Sequence, residues 1–161
     1  MKKFTIYTIL FFSVVACTKY PEGPSFSLRS KENRLKGHWF VTDAQRSYRP
    51  VSGGSGQAYN ENVTKEYSQN FIRWQFVEED GELQLNEYSG TGTNNFFTRG
   101  CSFSEDNADL YLDSNWDGTD TLNILRLTNS ELWLKEVYLE QAGGWSSITY
   151  EVTQTTKWKS F

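Results

Sequence analysis

The sequence predicts an all-β, antiparallel domain of about eight strands, and three observations carry that reading. Aromatics make up 16% of the 161 residues, while the one methionine is Met1. Such a profile suits pleated surface better than a helical bundle, which draws on leucine and alanine. From Lys36 onward, short alternating apolar runs are divided by turn signals roughly every ten residues, the pattern of a sandwich or a barrel. No later stretch repeats its apolar residues at helical spacing for three turns. A chain of this length has room for one domain.

The segment before that domain reads as an address. Met1-Lys2-Lys3 is a basic start, and the apolar run from Phe4 to Ala16 is too short to span a bilayer, which takes about 20 residues. It has the length of a signal-peptide core. Val14-Val15-Ala16-Cys17 then sets a cysteine directly after a small-residue cleavage site. This resembles a bacterial lipobox, which implies removal of residues 1–16 and acylation of the Cys17 thiol. Losing Lys2 and Lys3 would take the net charge from −4 to about −6. The other cysteine, Cys101, is then a lone thiol, a small buried apolar group with no disulfide partner. Residues 17–35 hold Pro21, Pro24 and Gly23 among polar residues and read as a tether whose C-terminal part packs on the domain, with residues 36–161 the folded domain.

The strands follow in order. Gly37, Trp39 and Val41 share a face. Gln45 to Val63 is polar and carries Gly53-Gly54-Ser55-Gly56, so it reads as a loop, and Thr64 to Gln69 has the length of a single helical turn. Ile72, Trp74 and Phe76 face one way with Arg73 and Gln75 opposite. Glu78-Glu79-Asp80-Gly81 is a hairpin turn, because Asp-Gly supplies positive φ. Leu83 and Leu85 alternate in the next strand. Residues 96–103 form another, interrupted at Gly100 as by a bulge. Leu110 and Leu112 mark a short strand. The runs 121–127 and 131–139 shift their apolar phase partway, as a bulge or two-sided burial would require, and Ile148, Tyr150 and Val152 complete the set.

Gly37-His38-Trp39 opening the first strand, a long first loop and seven further hairpin-joined strands resemble the lipocalin pattern. Over residues 17–155 the chain is similar to the lipocalin-like domain lipoproteins of Gram-negative bacteria. The stretches Tyr20-Pro21-Glu22-Gly23-Pro24, Phe26 to Lys31 and Leu127 to Leu134 carry that likeness. The resemblance implies an antiparallel up-and-down β-barrel on a lipidated tether, with Trp39 plugging the closed end above Gly37. It also implies a loop over residues 45–63 that gates the open mouth. Lipocalins cap that tryptophan with a late arginine; here Arg126, Lys157 or Lys159 would have to serve. A barrel of eight strands just fills with side chains or holds one small ligand. Ile72, Trp74, Phe76, Leu83, Leu85 and Tyr150 are the candidate lumen residues for a small apolar or amphipathic ligand. The alternative is a filled barrel that meets protein or glycan through outward aromatics such as Trp133 or Trp145. Thr18 after the cysteine implies the outer membrane, reached through acyl chains, and the lack of an acidic run there favours its periplasmic face.

Other chemistry finds little support. Asp113, Asn115 and Asp117 before Gly118, with Asp120 close by, match the start of a calcium loop. The twelfth position is Ile124 in place of a bidentate Glu, and no helices flank it, so a hairpin of Asx turns is the stronger reading. Glu78, Glu79, Asp80 and Glu82 share one exposed turn, whereas catalytic carboxyls need different environments. The single His38 has no nucleophile to serve, Ser55 lies in a Gly/Ser loop, and one His with one Cys does not make a zinc site. The sequence therefore predicts neither an enzyme nor a cofactor. Its acidic pI of 5.1 argues against nucleic acid. An outer-membrane barrel ending at Phe161 would put Lys159, Lys157 and Thr155 on its lipid face, which excludes that fold.

Overall fold

A computed structural model describes residues 29–53, 56–70, 72–90, 97–113, 118–142 and 148–161. Cys17 and Trp145 lie outside them. Helix α1 (Lys31–Leu35) leads into β1 (Gly37–Ser52), followed by β2 (Tyr59–Asn62), helix α2 (Thr64–Gln69), β3 (Arg73–Glu79) and β4 (Glu82–Tyr88). The chain continues through β5 (Phe97–Phe103), β6 (Asp109–Asp113), β7 (Thr119–Leu127), β8 (Glu131–Gln141) and β9 (Thr149–Ser160). All pairings are antiparallel, and β1 pairs with β9, so β1 and β3 to β9 form a closed eight-stranded up-and-down barrel. This is the predicted class.

Strand β1 departs from the sequence reading. Residues 45–52 are strand, with Gln45 to Ser52 laddered onto β9 from Thr155 to Thr149, and Gln45 to Tyr48 also laddered onto β2. The polar composition misled because Arg46 and Tyr48 face inward while their neighbours face solvent, which is ordinary alternation without apolar residues. Pro50 is tolerated beside a register shift between Pro50 and Ser52. Strands β2 and β3 both lie on the same edge of β1, β2 beside residues 45–48 and β3 beside residues 37–40, with α2 bridging them. Most of the segment expected as a gating loop, residues 45–52 and 59–62, is thus strand on the barrel wall, and the helical turn expected at Thr64 to Gln69 follows it.

The closed end is apolar and tightly filled. Trp39, Phe76, Leu85, Leu110, Ile124, Leu127, Leu132 and Trp158 are buried there together with Leu35 from α1. Residues 31–35, the C-terminal part of the segment read as a tether, therefore pack on the barrel. Ser30 caps α1 by accepting from the Asn33 N–H, and Arg34 Nη1 donates to the Leu127 carbonyl at 2.9 Å. Asp80 (φ 54°) and Gly81 (φ 84°) form the β3–β4 turn through positive φ at both positions. The phase shift in β7 is a register irregularity between Ile124 and Arg126. Gly100, in contrast, sits in an even ladder opposite Gln84. Its missing Cβ makes room for Asp113, whose Oδ2 would otherwise collide with it.

Candidate functional site

Alternation carries the inward face of each strand past the apolar core toward the open end, and there the inward residues become polar. Glu87 follows Leu85, Arg99 precedes Cys101, Asp120 precedes Leu122, Glu136 follows Leu134, and Gln154 precedes Thr156. These side chains, with Arg46 from β1 and Glu66, Tyr67 and Asn70 from α2 and its end, surround a cavity of about 330 Å³. Its floor is apolar. The Trp74 and Trp158 rings stack with centroids 4.2 Å apart at 25°, beside Ile72, Leu112, Leu122 and Leu134.

The polar wall is a set of short contacts. Arg99 Nη1 meets Asp120 Oδ2 at 2.7 Å. Arg46 Nε donates to Gln154 Oε1 at 2.7 Å, and its Nη1 stands 3.7 Å from Glu66 Oε2. The Gln154 amide donates in turn to the Tyr67 hydroxyl at 2.9 Å, and the Trp74 indole N–H donates to Glu87 Oε2 at 3.0 Å. Burial pushes the Tyr67 hydroxyl above its usual range. It does the same to the Glu136 carboxyl, where the charge of Asp120 adds to the effect and Arg99 and Arg46 oppose it. Such a chamber can seat a small molecule with an apolar body and a polar end.

No protein-family model matches this chain, and no curated protein matches it.

The six candidate lumen residues separate into three groups. Trp74 and Ile72 line the cavity. Phe76 and Leu85 are buried below it, in the packed closed end, and Leu83 packs against that core from the same side. Tyr150 lies farther out, where it meets Tyr48 and Tyr59 edge-on at 5.9 and 5.8 Å while those two rings stack at 4.3 Å. Trp39 is fully buried, and Gly37 adopts φ +127° with open space around its missing Cβ. Glycine is there for its torsion, and close approach is not the reason. The expected cations do not cover Trp39: Arg126 and Lys157 lie over the outward Trp133 ring at 5.2 and 5.0 Å. Trp39 is instead held by the Leu35 carbonyl, which accepts its indole N–H at 2.7 Å.

Of the calcium candidates, Asn115 and Asp117 lie outside the described residues. Asp120 pairs with Leu112 and turns inward to Arg99, whereas Asp113, the next residue along β6, turns outward beside Gly100. Asp113 and Asp120 therefore occupy opposite faces of the sheet and do not share a cation. Cys101 is a free, buried thiol pushed up to about 12, by burial first and then by Asp113.

The signal that sequence reading missed is the inward register of Arg99, Asp120, Glu136 and Gln154. Each shares the parity of core residues on its own strand.

Proposed function

We propose that this chain is a lipocalin-like lipoprotein of the outer membrane, anchored through Cys17, whose barrel binds one small amphipathic ligand without catalysing a reaction. The cavity of about 330 Å³ above the Trp74–Trp158 stack carries the reading. Its charged wall narrows the ligand from apolar to amphipathic, since a purely apolar molecule would strip water from Arg46, Arg99 and four carboxylates without replacing it. The barrel is not filled to its mouth, which favours a carrier over a solid interaction module. Two tryptophans in the floor make binding visible as a saturable change in intrinsic fluorescence. Titration with a panel of fatty acids, alcohols and amines is expected to give such a change with at least one class, reduced by Trp74→Ala. Failure of every probe would reject the carrier reading. The anchor is tested separately: Cys17→Ala is expected to release the chain from the membrane fraction.

A further inference from the structure

The charges around the cavity are unevenly satisfied. Arg99 is matched by Asp120, and Arg46 by Gln154 and Glu66. Glu136 makes no hydrogen bond or ion pair among the described residues, and Glu87 receives only the Trp74 indole N–H. Two guanidinium groups thus face four carboxylates, and both arginines already have internal partners. An anionic ligand would have to break one of those pairs and then sit beside the remaining acids. A neutral ligand would leave Glu136 half-buried and uncompensated.

We infer that the ligand is a small amphipathic amine, its apolar body on the Trp74–Trp158 floor and its ammonium group paired with Glu136. The inference rests on the small-ligand reading above and deepens it. Glu136 projects inward from β8, one inward position beyond Leu134, which belongs to the cavity floor. A molecule whose apolar end reaches Leu134 therefore brings its other end to this carboxylate. The titratable groups that face Glu136 include Asp120 from β7, Arg99 from β5, Arg46 from β1, Tyr67 from α2 and Tyr138 from its own strand. Asp120 reinforces its demand for a cation, and the two arginines oppose it only after meeting their own partners. Burial makes the bare carboxylate costly, and an incoming ammonium offsets that cost. Glu87, on the opposite wall of the barrel, adds negative potential beside the Trp74 edge.

The test uses three probes of one shape, phenylbutylamine, phenylbutanol and phenylbutyrate, titrated calorimetrically at neutral pH. The full chain is held in phosphatidylcholine nanodiscs, with empty discs as the blank. The amine is expected to bind about tenfold tighter than the alcohol or more, with the acid weakest. Glu136→Gln should abolish the preference, so that amine and alcohol bind it about equally, with the alcohol at least as tight as on the parent because no bare carboxylate is left uncompensated, and Glu136→Asp should keep part of the preference. Trp74→Ala should weaken all three. Acid binding as tight as amine binding, or an amine preference that survives Glu136→Gln, overturns the inference. If the alcohol binds and the amine gains nothing over it, the inference falls and the small-ligand reading stands. If none of the three binds, both fall together.

Discussion

The indole N–H of Trp39 donates to the carbonyl of Leu35 across 2.7 Å, and both residues are fully buried. The tryptophan that floors the barrel therefore also fastens the helix that precedes it. Leu35 fills the same core with its side chain, so two bonds of different kind join α1 to the closed end. Arg34 adds a third by donating to Leu127 at the start of the β7–β8 turn.

This arrangement fixes where the domain begins. Leu35→Ala should cost about 2–5 kcal/mol through the cavity it leaves. Trp39→Phe should cost at least about 1–3 kcal/mol, because the Leu35 carbonyl is left buried without its donor. A chain starting at Arg29 should unfold in urea at the same midpoint as the full chain, whereas one starting at Lys36 should be several kcal/mol weaker. Equal midpoints for the two truncations would show that α1 is an ornament.

Two glycines should respond to alanine in the order opposite to their crowding. Gly37 has nothing within 4 Å of a Cβ, but its φ of +127° is a region that L residues rarely adopt. Gly37→Ala should cost about 1–3 kcal/mol in backbone strain. At Gly100 the new methyl would meet Asp113 Oδ2, the far end of a side chain that can rotate into solvent. Gly100→Ala should cost less than about 1 kcal/mol. Urea midpoints of the two variants decide the order.

Cys101 should behave as an inert core group. Its thiol is pushed up to about 12 by burial and the nearby Asp113. The folded chain holds that proton after the unfolded chain, with an ordinary thiol near about 8.5, has released it. Stability contributed by Cys101 is therefore complete below about pH 8.5 and is lost as pH rises toward the folded value. In a Cys17→Ala background, a thiol reagent should modify Cys101 quickly in urea and very slowly without it. Fast modification of the folded chain would place the thiol at the surface.

Much of the barrel was legible because its closed half obeys simple alternation. Ile72, Trp74 and Phe76 announce β3, and Asp80-Gly81 announces its hairpin. The extension of β1 was illegible because its inward residues there are Arg46 and Tyr48, which composition assigns to a loop. The cavity wall was hidden for the same reason. A charged residue in a strand is ordinarily taken as outward, yet near an open barrel mouth the inward register passes from core to solvent. Parity counted from Leu134 gives Glu136, and parity counted from Leu122 gives Asp120. What parity does not give is the pairing of Arg99 with Asp120, which depends on β5 and β7 meeting across β6.

Glu136 should cost stability at neutral pH. Burial holds its carboxyl above the ordinary glutamate range, Asp120 pushes the same way, and Arg99 and Arg46 push back. The folded chain thus binds a proton where the unfolded chain, titrating near about 4.3, has lost it. For such a group, stability is fully present below the unfolded value and falls as pH rises through the folded one. Glu136→Gln removes the penalty, so its urea midpoint should exceed that of the parent chain at about pH 8 and move toward it at about pH 4. A gain of equal size at both values would mean that the substitution acts through packing and not through charge. The same carboxylate is the one assigned to the amine, so phenylbutylamine at about 100 times its parent Kd should raise the parent midpoint at about pH 8 by roughly twice as much as that of Glu136→Gln.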